Sequence, residues 1–128
     1  EIESKIHGQS FDLLVCCEVL EHIPWSEFES SLQTFRSISE RLYLTLPNFK
    51  RTYGFGGIVR LPMLHYLLSA YIEVPLHKAL DREHFWEVGS SKETKKRKIC
   101  SSLKKYYSNV ETKRLTLNPC HISFSAYE

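Results

Sequence analysis

The spacing of apolar residues changes several times along the chain, and each change predicts an element. Residues 11–17 form a nearly continuous apolar run between polar neighbours. That pattern suits a strand buried on both faces, as in a parallel sheet. Pro24, Ser26 and Glu27 then supply helix-start signals, and Phe28, Leu32, Phe35 and Ile38 recur at helical spacing. They predict a helix with one apolar face running to about Ser39. Residues 42–46 read as a second short strand, stopped by Pro47 and Asn48. Strand, helix and strand with short links predict a right-handed βαβ unit with parallel strands.

Downstream the pattern is less regular. Residues 48–60 mix Tyr53, Gly54, Phe55, Gly56 and Gly57 and read as a loop, since a lone glycine cluster most often marks a turn. Residues 58–72 predict a helix kinked near Pro62, and residues 74–83 an irregular stretch. Residues 90–107 predict an amphipathic helix with Ile99, Leu103 and Tyr106 inward. Its outer face carries Lys92, Lys95, Lys96, Arg97, Lys98, Lys104 and Lys105, which reads first as a solvated basic surface. Residues 110–117 alternate weakly, and residues 122–127 alternate cleanly between apolar and small polar side chains. Two more strands are expected there, the last half-covered and antiparallel.

Composition narrows the class. At 128 residues there is room for one domain, and 42% hydrophobic residues suffice for a core. A net charge of +2 is too mild to imply nucleic acid as the partner. Cys16, Cys17, Cys100 and Cys120 form no C-x-x-C pair, so reduced thiols in a cytoplasmic protein are expected rather than a disulfide framework or a structural zinc. The polar opening is unlike a signal peptide. The apolar stretch at residues 61–74 is broken by Pro62, His65, Ser69 and Glu73, too short and polar for a membrane span. The chain opens without Met and reads as a fragment of a longer protein.

Chemistry concentrates where the first strand ends. Ligands of open parallel α/β sheets bind beyond the carboxyl ends of the strands. There the turn presents Glu18, Glu21 and His22 together.

The string Phe11-Asp12-Leu13-Leu14-Val15-Cys16-Cys17-Glu18-Val19-Leu20-Glu21-His22 resembles the fourth strand and following turn of class I S-adenosylmethionine-dependent methyltransferases. Residues 42–48, ending Leu46-Pro47-Asn48, resemble that family's fifth strand. Glu83-His84-Phe85-Trp86-Glu87 is similar to its segment before the last large helix, and Asn118-Pro119-Cys120-His121 to its link into the final strand. The resemblance covers essentially the whole chain. It implies an α/β fold, the C-terminal half of a Rossmann-like domain, with a mixed sheet in the family order 4-5-7-6 and residues 1–128 as one partial domain. The family's G-x-G-x-G loop and its ribose-binding acid have no counterpart here. Gly54, Gly56 and Gly57 follow the wrong strand.

On this resemblance S-adenosylmethionine is the cofactor, lined by Cys16, Cys17, Glu18 and Val19 with His22 nearby, although Cys16 and Cys17 also read as small core residues. The cofactor carries its own activated methyl group, and the protein aligns the nucleophile and removes its proton. His22 and His84 are the candidate bases, because imidazole titrates near neutral pH. His7, His65 and His77 read as surface or packing residues. Glu21 reads equally as a cap or brace for the next helix. Tyr53, Phe55, Tyr66 and Trp86 are either core or walls of a substrate pocket. The implied acceptor is a small molecule, glycan or lipid. The chain alone is expected to be inactive, because much of the cofactor cradle is missing.

Two alternatives stand beside this reading. No metal is assigned in the leading one. Small-RNA 3′-terminal 2′-O-methyltransferases also resemble this stretch, and the likeness implies a divalent ion held by Glu18, Glu21, His22 and His84. The other alternative is a non-catalytic interaction module using the basic helix. With three family strands missing, residues 11–17, from Phe11 to Cys17, become an edge, and self-association through that edge is expected.

Overall fold

The structure is a computed structural model that describes residues 10–77 and 79–128. The readings of His7 and of the side chains of His65 and His77 lie outside the described residues. In chain order the elements are β1 (Leu14–Cys17), α1 (Phe28–Ile38), β2 (Arg41–Pro47), β3 (Lys50–Leu61), β4 (Leu64–His77), α2 (Lys96–Leu103), β5 (Asn109–Arg114) and β6 (His121–Tyr127). Two single 3-10 turns, Leu20–His22 and Trp25–Glu27, join β1 to α1.

The fold class is α/β, with a mixed sheet of four strands in the order β1-β2-β6-β5. β1 lies parallel to β2, and β6 is antiparallel to both β2 and β5. The register places the buried large apolar side chains on one face. Leu14 and Cys16 sit opposite Leu42 and Leu44, and Leu42, Leu44 and Leu46 sit opposite Ala126, Phe124 and Ile122. Phe28 and Leu32 of α1 and Ile99 and Leu103 of α2 complete this layer. Each fully buried side chain of this size contributes about 1.5–3 kcal/mol, so this layer carries the fold.

The opposite face is different. Leu13, Val15 and Cys17 are exposed there, beside Arg41 and Glu111. Both described α-helices pack on the first face, because Ile99 and Leu103 join the same cluster as Leu32 and Phe124. A sheet with helices on both faces, which the full doubly wound fold implies, is therefore not what the described residues form.

Several expected boundaries move. β1 begins at Leu14; Phe11 makes only an isolated bridge to Ser39. α2 covers Lys96–Leu103 rather than residues 90–107, because Ser90, Ser91 and Thr94 bond one another and the local backbone in a tight turn before it. β5 stops at Arg114 rather than residue 117.

The largest correction concerns residues 48–77. They form neither a loop nor a kinked helix but one long hairpin, β3 with β4, paired from Leu61 and Leu64 back to Lys50 and His77. Pro62 and Met63 make its two-residue turn, with Met63 in the left-handed region at φ 72°. The reason is visible in residue types: Thr52, Tyr53, Ile58, Val59, Tyr66, Tyr71 and Ile72 favour strands, while the glycines disfavour a helix. One face of the ribbon presents Tyr53, Phe55, Val59, Leu61, Tyr66, Leu68, Ala70 and Ile72, all exposed. A run of apolar residues at both helical and strand positions satisfies either period, which is why the pattern misled.

Candidate functional site

The site is built where β1 ends. Glu18 takes a left-handed backbone, φ 54°, a conformation that costs a non-glycine residue roughly 1–2 kcal/mol. Three contacts hold it there. Its N–H donates to the Thr45 carbonyl at 3.2 Å. Thr45 Oγ1 donates to its Oε1 at 2.8 Å, and His121 Nε2 lies 2.6 Å from its Oε2. The resulting sharp turn sends the chain into Leu20–His22, burying Leu20 and Glu21 and leaving His22 exposed.

A distant segment closes over this turn. The Phe85 N–H donates to the Glu21 carbonyl at 2.8 Å, and the Val88 N–H to the Pro47 carbonyl at 2.9 Å. Trp86 Nε1 donates to the Ile23 carbonyl at 3.0 Å, and its indole meets Trp25 edge to face at 4.8 Å and Phe28 at 5.5 Å. His84 is thereby brought against His22, their rings edge to face at 4.9 Å.

Glu21, His22 and His84 then converge, each with one donor atom within 4.8 Å of the others. The imidazoles are fixed from behind. His22 Nδ1 donates to the Glu83 carbonyl at 3.0 Å, and His84 Nδ1 to the buried Glu87 carboxylate at 3.1 Å. A proton held on each Nδ1 leaves each Nε2 lone pair for the site.

Glu21 is fully buried, and among the described residues neither carboxylate oxygen meets a hydrogen-bond partner at bonding geometry. Burial raises its carboxyl above the ordinary value of 4.5, and Glu18 adds to the rise; its own backbone amide, His22 and His84 pull the other way.

The expected site residues thus separate. Cys16 is a core residue whose thiol burial pushes up to about 11, with Cys17 and Glu21 adding to the effect. Cys17, Glu18 and Val19 lie exposed on the rim. Glu18 belongs with Thr45 and His121 rather than with the converging trio. Trp86 is core, and Tyr53, Phe55 and Tyr66 stand exposed on the hairpin. Glu21 does not cap the next helix, whose start at Glu27 has no side-chain cap bond. The supporting roles of Glu87 and His121 went unread in the sequence. Glu87 lies three residues beyond His84, the only hint available; nothing local announces His121.

No family model, no curated protein and no solved structure matches the chain.

The Glu21 geometry has a direct consequence for stability. A carboxyl whose folded pKa is raised stabilises the fold only while protonated. That contribution is present below the ordinary value and is lost as pH rises through the folded one. Glu21→Met removes an unpartnered buried acid, so urea denaturation at pH 7 in chelator-containing buffer should show a gain of roughly 1–3 kcal/mol. The gain should shrink toward pH 4, where only the cost of the neutral buried carboxyl remains. A loss of stability at pH 7 would show that Glu21 braces the turn.

Proposed function

We propose that the chain is the C-terminal part of a Rossmann-like methyltransferase domain, acting with S-adenosylmethionine on a small-molecule, glycan or lipid acceptor. The carrying observation is the position of Cys17, Glu18 and Val19, open to approach at the carboxyl end of a strand parallel to its neighbour. Ligands of parallel α/β sheets bind at that end. The spatial order β1-β2-β6-β5 supports the 4-5-7-6 arrangement that the sequence resemblance implies.

The residues present suit one wall of such a site. Cys17 and Val19 offer small and apolar surface, and the Glu18 carboxylate is already held by Thr45 and His121. The cofactor supplies an activated methyl group when bound. The chain's own part is to orient the acceptor and take its proton at an imidazole Nε2. His22 and His84 both qualify, because their Nδ1 protons are donated elsewhere. Among the described residues no helix is long and apolar enough to cross a membrane. All four cysteines are free, which suits the proposed cytoplasmic location.

Hydrogen exchange tests this reading. S-adenosylhomocysteine should slow exchange of the amides at residues 16–22, and Val19→Trp should abolish the effect. Protection that falls outside residues 11–48, or that Val19→Trp leaves intact, would sink it.

A second reading is favoured by the Glu21, His22 and His84 convergence. One carboxylate and two neutral imidazoles suit a divalent cation of the Mn²⁺ or Zn²⁺ kind, and the Glu87–His84 bond is the outer support such ligands usually have. The ion would supply positive charge for ribose hydroxyls, as in RNA 3′-terminal 2′-O-methylation. In calorimetric Mn²⁺ and Zn²⁺ titrations, His84→Ala should weaken binding at least about tenfold. Equal binding by the His22→Ala/His84→Ala double variant would remove this reading.

The exposed edge at β1, with Leu13 and Val15 uncovered, also supports self-association. Sedimentation velocity should show a dimer that Leu13→Lys/Val15→Lys converts to monomer. A wild-type chain that stays monomeric at its highest soluble concentration would rule it out.

A further inference from the structure

A cavity of about 840 Å³ opens on the helical face of the sheet, away from Glu18. Three elements that meet there bring positive charge. Lys50 starts β3, Arg114 ends β5, Lys113 precedes it, and Lys95 and Lys96 stand at the start of α2. Glu73 of β4 is the one acid among the lining residues.

The two kinds of cation in this wall differ in how they are held. Arg114 is fixed as structure. It is paired with Glu73, donates through Nη1 to the Pro119 carbonyl at 2.8 Å, and lies 5.6 Å over the Tyr71 ring. Lys50 also reaches Glu73, at 3.4 Å. One carboxylate therefore serves two cations. Among the described residues Lys95 and Lys96 make no ion pair and both are exposed, whereas Lys113 alternates with Arg114 along β5 and turns its side chain to the other face. Like charges gathered around a concave, partly apolar wall repel one another and focus a positive potential into the opening. A bound anion removes that repulsion.

The form of the charge indicates the ligand class. Lysine ammonium groups are compact point charges with rotatable donors, suited to the spread oxygens of a phosphoryl group, whereas planar bidentate recognition falls to arginine. Here the one arginine is already engaged. The volume is that of a small-molecule site. We propose that this cavity is an anion site for a phosphate-bearing small molecule, contacted by Lys95 and Lys96 above the fixed Arg114. The proposal stands on this cavity alone and does not depend on methyl transfer.

Pyrophosphate is the probe. Titration calorimetry in low-salt buffer should show binding that weakens as salt is added. Lys95→Ala/Lys96→Ala should bind roughly tenfold more weakly, while Lys95→Arg/Lys96→Arg should retain most of the affinity. These side chains are exposed, and an unchanged thermal melt checks that each variant is folded. Single-stranded RNA and phosphatidylglycerol vesicles are tested in parallel, since each carries the same phosphate. Absence of pyrophosphate binding, or equal binding by the alanine variant, overturns the proposal. So does lysine-dependent binding of RNA or vesicles without pyrophosphate binding, which would assign the cavity to a polymer or a membrane surface.

Discussion

The candidate site depends on the docking of Trp86. The indole is 3% exposed, wedged edge-on against Trp25 and Phe28, with Nε1 bonded to the Ile23 carbonyl. Aromatic contacts of this kind contribute about 0.5–1.5 kcal/mol each beyond the area they bury. Trp25 and Phe28 are themselves stacked at 4.6 Å, so α1 offers a preformed aromatic seat. Once Trp86 is seated, its neighbours have little freedom. Phe85 must meet the Glu21 backbone and Val88 the end of β2, and His84 is left facing His22. Chemistry-bearing residues some sixty positions apart are thus assembled by a packing decision that involves none of them.

What was legible in the sequence follows from how local each determinant is. The strands at Leu14–Cys17, Arg41–Pro47 and His121–Tyr127 and the helix Phe28–Ile38 were visible because each carries its own apolar pattern, whereas Asn109–Arg114, with Val110 alone apolar, was only weakly marked. The hairpin was not. Leu61, Leu64, Leu67 and Leu68 fit a helical face as well as a strand, and the decision rests on pairing between β3 and β4, which a single-strand pattern cannot show. Residues 90–95 carry a helix-like composition, yet the serines and Thr94 capture the backbone in a turn. At the site, His22 and His84 were legible as residue types. The left-handed Glu18, the support of Glu87 and the contact from His121 depend on tertiary placement alone.

The features that cost the fold most lie around the carboxyl end of β2. Glu18 holds a strained backbone, Glu21 is buried without partners, and cations surround the neighbouring cavity. The remainder of the sheet is ordinary apolar packing between Leu44, Phe124, Leu32 and Leu103. Local violations of this kind persist when the surrounding structure over-determines them, and they gather at functional sites. The two halves of this edge are also distinct. Glu18 and His121 face the side of the sheet without a helix, whereas Arg114 and Lys96 face the helical side, with the bonded Pro47 and Val88 between them.

Glu21 is where the alternatives can be separated by physics. A bracing carboxylate would accept a backbone N–H, and Glu21 accepts none at bonding geometry. A surface acid would be hydrated, and Glu21 is fully buried. A plain core position would hold an apolar side chain, since a neutral or charged carboxyl without partners only weakens the core. Two chemical states relieve it in place. Protonated, it can donate to an adjacent imidazole Nε2; ionised, it can share a cation with both. The His22 and His84 tautomers fixed by Glu83 and Glu87 serve either state. The common requirement is a carboxyl poised beside two imidazoles, and that arrangement, rather than the strand that introduces it, is what sets this edge apart.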